Sequence, residues 1–474
     1  MSTRPASAAA QVTGALWHRA GLPVEALAKL ALPGAGPSVD AALPSSFAVG
    51  TAAQASIAAM ALAAAELHHQ RGAPRQRVTV GLRHAAAEFR SERLFRIDGL
   101  EAPELWDAIA GLYPTADGPN GPGWVRLHTN FPHHRDGLLR LLGVPNDRAA
   151  VAQALLSWQA EAFEAAAAEA GLCVSALRSF AEWDAHSQSR AVADWPVRLT
   201  RIGDAPPLPL PPAAARPLEG IRVLDLTRII AGPVAGRALA AHGADVMLIT
   251  APHLPAVAPL VIDTGRGKRS AQLDLRGAEG VAQLEALTRQ ADVFLQGYRP
   301  GAIAARGVGA ARLAELRPGI VHASLSAYGE AGPWHGRRGF DSLVQTASGF
   351  NLAEAEAAGE AKPRPLPAQA LDHASGYLLA FGILAALHRR AVEGGTWQVD
   401  VSLAATGRWL RGLGQVANGF AVPDPGREDL LDLLEESDSG FGRLTAVRHA
   451  GMLEATPAFF ARPSVPLGSD APEW

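Results

Sequence analysis

An aspartate at the start of a long apolar helix is the group in this sequence best placed to do chemistry. Segment 371–402 contains Asp372, an apolar helical pattern, the pair Gly394 and Gly395, and a strand-like run. We predict Asp372 at the N-cap, where the helix dipole and free N–H groups keep a carboxylate ionised. An ionised carboxylate can act as a nucleophile, and the simpler interpretation is that Asp372 only caps its helix.

An internal repeat helps to separate these two interpretations. The helix–glycine–strand unit at 372–402 has a counterpart at 50–82, where Thr51 or Ala52 takes the place of Asp372. Threonine is itself a good N-cap residue, so capping alone does not require a carboxylate in the second copy. The repeat therefore favours a catalytic role for Asp372.

Composition excludes several classes of protein. The chain has 474 residues, is 48% hydrophobic and carries a net charge of −3, which predicts a large core and no nucleic-acid partner. Cys173 is the only cysteine, so we expect neither a disulfide framework nor a cysteine zinc site. The group His133, His134 and Asp136 is a weak metal candidate, because adjacent histidines point apart and no third ligand is near. We predict no metal site.

The sequence also predicts the cellular location of the protein. The N-terminal residues lack the apolar stretch of a signal peptide. We find no uncharged apolar run of roughly 18 residues, the length that a membrane span needs. We therefore predict a cytoplasmic protein with no membrane partner.

The chain divides into five predicted segments. Residues 1–45 are Ala- and Pro-rich and predicted to be poorly ordered, and 46–203 form a smaller half of helices and short strands. A proline-rich linker follows at 204–217, and 421–474 form a C-terminal segment. Within 218–420, strands alternate with helices, which predicts an α/β fold with a doubly wound, mostly parallel, Rossmann-like sheet. The smaller half is expected to be an α+β domain.

A turn after the first strand of the α/β segment is a candidate binding site. It consists of Ile229, Ile230, Ala231 and Gly232, with Pro233 at the first helical position. Open α/β sheets bind ligands where such a turn leads from a strand into a helix, and helix N-termini favour anions. The chain has no GxGxxG motif here, so a nicotinamide cofactor is not indicated.

Several motifs in this order resemble class III CoA-transferases of the CaiB/BaiF type. That family includes formyl-CoA and carnitine-CoA transferases and the related 2-methylacyl-CoA racemases. The resemblance covers 218–420 and implies the fold described above. The matching segments are LEGIRVLDLTRIIAGP (218–233), AHGADVMLI (241–249), TGRGKRSAQLDL (264–275), ADVFLQGYRPGAIAARGVG (291–309), RPGIVHASLSAYGEAGPWHGRRGFDSLVQTASG (317–349) and the Asp372 unit.

The resemblance implies an activity and a nucleophile. The catalytic aspartate of the family matches Asp372, so the implied enzyme is an acyl-CoA:carboxylate CoA-transferase. CoA would move between an acyl-CoA and a carboxylic acid through an aspartyl mixed anhydride and an aspartyl-CoA thioester. CoA is then a substrate, and no permanently bound cofactor is expected.

The resemblance also implies CoA-binding residues. The turn from Ile229 to Gly232 would contact CoA largely through its backbone. Lys268 and Arg269 match a basic pair near the adenine and 3′-phosphate, and Arg299 takes a position where the family has Arg or Gly. Many members have an Arg where this chain has Ala305, so Arg306 is the predicted substitute.

Two alternatives to transfer remain at this stage. In the racemases a histidine precedes the residue that matches Asp341, and it serves as an acid/base partner of the aspartate. Phe340 occupies that position here, which favours transfer over racemisation. Asp341 itself is predicted either as a turn or cap residue or as part of the site. A catalytically inactive CoA-binding protein is the second alternative.

The first half of the chain departs from the family order. Residues 46–203 resemble the later part of a family chain, and 444–468 within the last segment resemble its C-terminal return. Small-domain material therefore precedes the CoA-binding domain, as though two family chains were fused and trimmed. The family forms interlocked dimers, which implies a homodimer. A monomer would follow if the fused halves supply both parts in one chain.

Overall fold

The computed structural model describes residues 7–36, 38–116, 123–212 and 215–474 of the chain. The helices of the first half are α1 (Ala8–Ala20), α2 (Val49–Gln70), α3 (Leu82–Glu88), α4 (Ser91–Leu94), α5 (Pro132–Leu142), α6 (Arg148–Leu155), α7 (Ala160–Glu169), α8 (Phe180–Ala185) and α9 (Ser187–Ala191). Its strands are β1 (Leu30–Ala31), β2 (Val78–Thr79), β3 (Arg96–Ile97), β4 (Leu100–Glu101), β5 (Gly111–Pro114), β6 (Trp124–Leu127), β7 (Val174–Ala176) and β8 (Val197–Gly203).

The second half alternates strands and helices as far as β13, after which three helices follow one another before β14. Its strands are β9 (Arg222–Leu226), β10 (Asp245–Thr250), β11 (Lys268–Gln272), β12 (Val293–Gln296), β13 (Val321–Ser326), β14 (Thr396–Ser402), β15 (Leu434–Ser439), β16 (Gly442–Val447) and β17 (Met452–Leu453). Its helices are α10 (Ala231–Ala241), α11 (Ala258–Thr264), α12 (Ala278–Thr288), α13 (Ala310–Leu316), α14 (Asp341–Ala347), α15 (Phe350–Ala358), α16 (Ala370–Glu393) and α17 (Leu403–Gly412).

A seven-stranded sheet organises this second half. Its strand order is β11-β10-β9-β12-β13-β14-β8, and all neighbours are parallel except β14 and β8. Central strands of a parallel sheet are buried on both faces and therefore carry continuous apolar runs. Val223 and Leu224 on β9 and Val246 and Met247 on β10 are accordingly inaccessible to solvent. The predicted doubly wound α/β sheet is confirmed.

A smaller α+β unit lies in the first half. Strands β5, β6 and β7 form an antiparallel sheet, and α5, α6 and α7 are the helices of the same segment. Val125, Leu127 and Phe163 are fully buried between these elements in a core of their own. This arrangement confirms the predicted smaller α+β domain.

The two helices of the sequence repeat pack on each other in the centre of the protein. Helices α2 and α16 are in extensive contact, and side chains from both join one core cluster. Both are long and apolar enough to cross a membrane, yet the whole apolar window of each is buried inside the protein. At Gly382 an added Cβ would lie 2.5 Å from Val399 and 2.8 Å from Val197, so α16 also lies tightly on β14 and β8.

The N-terminal segment differs from its prediction. Within 1–45, residues 7–36 and 38–45 are described, and they include α1, whose first turn is capped by Ser7 through the Ala10 N–H. Trp17 is fully buried, donates its indole N–H to the Pro23 carbonyl at 2.9 Å and contacts Phe381. Poor order is therefore wrong for this described part, because its apolar side chains pack against α16 in the core.

The proline-rich linker joins the two halves tightly. Parts 204–212 and 215–217 are described, and Arg71 from the first half donates to the carbonyls of Pro211 and Pro217, each at 2.7 Å. Strand β8, which precedes the linker, pairs with β14 and completes the large sheet. The linker therefore connects halves that share one sheet and one main core.

The C-terminal segment returns to the first half. Strand β16 pairs with β3, and β17 pairs antiparallel with β2, the strand that follows α2 in the repeat. Residues from both ends of the chain thus enclose the helices α2 and α16.

Candidate functional site

Asp372 is the third residue of α16, inside its first turn. The N-cap residue is Gln369, whose side chain makes no capping hydrogen bond. The prediction that Asp372 is the N-cap is therefore wrong. The carboxylate of Asp341 takes this role from α14, since its Oδ2 accepts the N–H groups of Leu371 at 2.8 Å and Asp372 at 3.0 Å. The side chain of Asp372 is left free of the capping task.

Close packing of α16 on α10 directs Asp372 toward the candidate ligand turn. Gly376 lies one helical turn after Asp372, on the same face of α16. A Cβ at Gly376 would lie 2.5 Å from the carbonyl oxygen of Ala231 and 2.8 Å from Cβ of Val234. Only glycine permits this approach, and it brings the first turn of α16 to the start of α10.

A cavity of about 340 Å³ opens where these helices meet the sheet, and Asp372 is part of its wall. The cavity lies beyond the carboxyl ends of β9, β12 and β13, the place where open α/β sheets bind ligands. Its other lining residues are Phe131, His133, His134, Leu226, Arg228, Ile229, Ile230, Ala231, Leu254, Pro255, Gly297, Tyr298, Arg299, Pro300, Ala302, Leu325, Ser326, Ala327, Arg337, Arg338, Gly339, Phe340 and Leu403.

The cavity wall is strongly basic. Four arginines line it (Arg228, Arg299, Arg337 and Arg338), and Asp372 is the sole acidic residue among the described lining residues. Arg228 lies over the ring of Phe131, with 4.8 Å between its Cζ and the ring centroid. Such a wall suits a ligand that carries several phosphate groups.

Asp372 and Asp341 form a coupled pair of buried acids. Asp372 is 6% exposed, and burial together with the negative charges of Asp341 and Glu92 raises its pKa well above the usual value. Burial also raises the pKa of Asp341 to about 6, although the N–H groups of Asp372 and Leu371 and the Gln345 amide favour its ionised form. The structure does not support the expectation that the helix dipole and free N–H groups keep Asp372 ionised, because Asp341 accepts its N–H group and burial and like charges raise its pKa.

Hydrogen bonds behind Asp372 fix the first turns of α16. His373 Nε2 lies 3.0 Å from Oε2 of Glu92, and its ring stacks on Phe89. Tyr377 donates its hydroxyl to Glu88. Burial opposes ionisation of Glu92, but the hydrogen bond and charge of His373 lower its pKa to about 2. From its place next to Asp372 in the sequence, His373 is expected to be a packing or capping residue, and these contacts are those of a packed side chain.

The structure brings four of the predicted CoA-binding residues together with Asp372: Ile229, Ile230, Ala231 and Arg299. Ile229 has a φ of 75°, a conformation that is unfavourable for a β-branched residue and that often marks functional sites. Gly232 lies just behind the wall, where an added Cβ would lie 2.4 Å from Thr227. Its role is to let α10 start close to the end of β9.

Three predicted residues lie outside the cavity. Lys268 is buried on β11, where its Nζ lies 2.8 Å from Asp225 Oδ2. Arg269, next on the same strand, binds Asp245 and the Glu473 carbonyl. The sequence pattern predicts this strand later, at 271–275, and therefore leaves the basic pair outside the strand. Arg306 is exposed in a turn at Ala304–Arg306 and does not line the cavity.

Several lining residues were missed from the sequence. Arg228 and Tyr298 adjoin the predicted residues Ile229 and Arg299 in the sequence. Their positions beside strand ends could therefore have identified them as lining residues. Phe131, His133 and His134 come from the start of α5 in the smaller unit, and no local pattern places them near Asp372. The first half of the chain therefore contributes to the same cavity as α16.

The adjacent histidines pack as a pair beside the cavity. Their ring centroids are 4.1 Å apart, and His134 Nε2 lies 3.6 Å from Sγ of the buried Cys173. Burial, with the nearby charges of His133, Arg338 and Arg228, lowers the pKa of His134 to about 3, so its ring is neutral. Over the described ranges we find no group of three His, Cys, Asp or Glu side chains arranged to hold a metal ion.

Comparisons with known proteins give relatives for this arrangement. A probable fatty acyl-CoA transferase of Mycobacterium tuberculosis is 37% identical over 231 residues, which cover 44% of this chain and 58% of that protein. An acyl-CoA transferase of Gibberella moniliformis is 30% identical over 383 residues, covering 72% of this chain and 66% of that protein. The chain thus spans little more than half the length of the mycobacterial relative.

The solved structures include a crystal structure of a Mycobacterium tuberculosis protein that is 34% identical to this chain. It aligns with a TM-score of 0.39 over 42% of this chain and 58% of that one. The profile of CoA-transferase family III matches residues 218–429, which hold α10, α16 and most of the cavity wall. On this match and these relatives, the chain belongs to CoA-transferase family III.

Proposed function

We propose that the protein is an acyl-CoA:carboxylate CoA-transferase whose nucleophile is the carboxylate of Asp372. The observation that carries the proposal is the position of Asp372. It is the acid in the wall of a basic cavity that opens at the carboxyl ends of β9, β12 and β13. A basic wall attracts the CoA phosphates, and the inner carboxylate meets the thioester.

The proposed reaction begins with attack of an Asp372 oxygen on the thioester carbonyl of the donor. The C–S bond breaks, CoA leaves as a thiolate, and a mixed anhydride forms. The thiolate then attacks the aspartyl carbonyl, releases the donor acid as a carboxylate and leaves an aspartyl-CoA thioester. The acceptor carboxylate repeats these steps in reverse order, so that Asp372 is regenerated and a new acyl-CoA departs.

Backbone groups at the start of α10 are available to stabilise the oxyanion in these steps. Ala231 lines the cavity. Within the described parts of the chain, its N–H and that of Gly232 donate to no acceptor. N–H groups that are free and point into a site stabilise developing negative charge. The N–H groups of Leu371 and Asp372 are already taken by Asp341 and are not available.

Transfer is favoured over racemisation by the residue beside Asp341. Phe340 lines the cavity and stacks on His128, with ring centroids 3.8 Å apart. A phenyl ring cannot exchange a proton with a substrate. The position that carries an acid/base histidine in the racemases is therefore without that function here.

The test is to incubate the purified protein with a panel of acyl-CoAs and isotope-labelled carboxylic acids and to separate the products. Transfer of CoA to the labelled acid is the expected result. Hydroxylamine should attack the activated carbonyl of Asp372, release the donor acid or CoA and leave a hydroxamate at this position, and no such product should form in Asp372→Ala. Binding of CoA without exchange across the panel would contradict the proposal and favour a CoA-binding protein.

We propose an acyl-CoA and a carboxylic acid as the substrates, with no permanently bound cofactor. A homodimer stays a prediction from the family resemblance, and a cytoplasmic location stays a prediction from the apolar pattern of the sequence. Because Phe131, His133 and His134 reach the cavity from the same chain, a monomer would also have these wall residues. Sedimentation of the purified protein distinguishes a monomer from a dimer.

A further inference from the structure

A second cavity, of about 820 Å³, lies beside the start of α16. Its described lining residues include none of those around the first cavity, and Asp372 is not among them. Gln369, the residue before α16, and Gln345 and Ser342 on α14 form part of its wall. The volume lies in the range of about 300–1,000 Å³ that is common for pockets holding small organic ligands.

Four arginines line this second cavity, and three of them have acidic partners. Arg90 pairs with Asp424, Arg93 Nε lies 3.3 Å from Glu92 Oε1, and Arg364 pairs with Glu360. The fourth, Arg126 on β6, has no ion pair or hydrogen bond from its guanidinium to any residue that the structure describes, and its Nε is buried. Asp341 opposes its charge without an ion-pair contact, and a partly buried cation that no described carboxylate contacts is costly, so an anion from outside would stabilise it.

Arg126 remains charged in this position. Burial lowers its pKa to about 10, which still leaves the guanidinium protonated at neutral pH. Its Cζ lies 5.0 Å from the ring centroid of Trp106, which also lines the cavity. The aromatic ring supports the cation from one side and leaves its hydrogen-bonding edge for a ligand.

The remaining wall supplies an available amide, an apolar surface and the carboxylate of Glu104, which accepts the N–H of Trp106 at 3.1 Å. Gln369 makes no side-chain hydrogen bond among the residues described here, so its amide is available to a ligand. Leu105, Leu366 and the prolines at 363, 365 and 367 provide apolar surface. A guanidinium and an amide beside apolar walls match a small acid with a hydrocarbon or aromatic body.

We propose that this second cavity binds an organic carboxylate, whose anionic group pairs with the guanidinium of Arg126 and whose body packs on Trp106 and Leu366. The site is separate from the basic cavity around Asp372. It does not depend on the proposed transferase reaction.

The site is connected to the start of α16. Gln345 lines the second cavity and donates its amide to Asp341, which in turn accepts the N–H groups of Leu371 and Asp372. Gln369 also lines the cavity and precedes α16 directly. A carboxylate bound here would therefore act on the same helix turn that carries Asp372.

Isothermal titration calorimetry of the full chain with benzoate and hexanoate tests the proposal, with benzamide as the uncharged analogue. We expect the two acids to bind and benzamide to bind at least about tenfold more weakly, the equivalent of about 1.4 kcal/mol. Arg126→Met should weaken benzoate binding by at least about tenfold, and Arg126→Lys by less, because it keeps the charge but loses the bidentate geometry.

Two matched variants locate the binding. Arg90→Met removes a paired arginine from the same cavity, and Arg338→Met removes one from the basic cavity. Both should bind benzoate within about twofold of the unaltered chain, since neither removes the unpaired cation. Circular dichroism and thermal melting check that each variant is folded.

The proposal is overturned if neither acid binds at millimolar concentration. It is also overturned if a folded Arg126→Met binds benzoate normally, or if Arg338→Met loses the binding instead.

Discussion

The two helices of the repeat start in different surroundings. Asp372 and Thr51 are each the third residue of their helix. At α16 a carboxylate, Asp341, accepts the first N–H groups, and the side chain of Asp372 faces a cavity. At α2 backbone carbonyls accept them: Gly50 donates to Ala41 at 2.6 Å and Thr51 to Asp40 at 2.9 Å.

In the first copy of the repeat, the side chain of Thr51 is hydrogen-bonded and closely packed by neighbouring residues. Thr51 Oγ1 accepts the N–H of Asp40 at 2.8 Å, and a Cβ on Gly50 would lie 2.4 Å from that of Ala42. None of these residues lines a cavity described above. The same secondary-structure unit is therefore a candidate site in one copy and a packing element in the other. The difference comes from the segments that cover each helix start.

Replacing the acid at the open helix start should have the largest effect. Asp372→Asn keeps the shape of the side chain but removes the nucleophile, so CoA transfer should fall by about 10³-fold or more. The thermal midpoint should rise, because burial of an acid with a raised pKa opposes folding at neutral pH. Product analysis by chromatography measures the first effect and thermal melting the second.

The matched control is Thr51→Val at the closed helix start, which should leave the transfer rate unchanged. Residual transfer in Asp372→Asn close to that of the unaltered chain would contradict the assignment of the nucleophile.

Separating α16 from α10 should have the next largest effect. In Gly376→Val the new side chain meets the Ala231 carbonyl and Val234, so one helix must shift. Such overpacking should lower the free energy of unfolding by about 1–3 kcal/mol. Transfer should fall as well, because the ligand turn and Asp372 lose their alignment.

Gly412→Ala serves as the control, because a Cβ at that position meets no atom within 4 Å. Urea unfolding and transfer assays measure both variants. Unaltered transfer in a destabilised Gly376→Val would show that this helix contact does not position the site.

Removing the negative charge of Asp341 beside Asp372 should shift the pH dependence of the transfer rate. The rate should rise with pH as Asp372 loses its proton, since its pKa is raised by burial, Asp341 and Glu92. Asp341→Asn removes one negative charge while its amide oxygen can still accept the two N–H groups, so the pKa of Asp372 falls. The rising limb of the profile should then move to lower pH.

Transfer rates between pH 5 and 9 measure the shift. Asp400→Asn, which removes an acid that pairs with Arg198 on the edge of the large sheet, should leave the limb in place. A limb that moves to higher pH, or not at all, in Asp341→Asn would contradict the coupling of the two acids.

The smallest effect is expected at the closed helix start. Thr51→Val keeps the shape of the side chain but loses the hydrogen bond from Asp40, which should cost about 1 kcal/mol of unfolding free energy. The midpoint of urea denaturation measures this loss. A lower transfer rate under conditions in which Thr51→Val is fully folded would show that α2 also takes part in the reaction.

Much of the large sheet could be predicted from local pattern. The apolar pattern predicts a strand at 245–250, which is β10, and a helix at 232–242, which is α10 shifted by one residue. Buried strands and helices alternate here with clear turns, so short-range signals suffice. The pattern places β11 too late, at 271–275, because Lys268 and Arg269 look like solvent-exposed residues. The buried pair of Lys268 with Asp225 is a contact across the sheet that no local pattern reveals.

The residues of the candidate site also fall into those that the sequence predicts and those that it does not. The turn at 229–231 and Asp372 were found from their positions at helix starts, and the structure brings them to one cavity. The contributions of Phe131 and of the two neighbouring histidines were not found, because their segment lies more than half the chain away from Asp372 in sequence. The second cavity and the unpaired Arg126 could not be predicted either, because the sequence does not show whether an arginine has an ion-pair partner in the folded chain.

The sequence by itself determined the order of strands and helices, the repeat, the family and the identity of the acid at the helix start. These depend on residue types at short spacing. The tertiary structure decided the protonation of that acid and the composition of the wall around it. Both arise from residues distant in sequence: Asp341 caps α16 from another helix, and burial beside Glu92 raises the pKa of Asp372. Charge and solvent exclusion act through space, so only the folded chain fixes them.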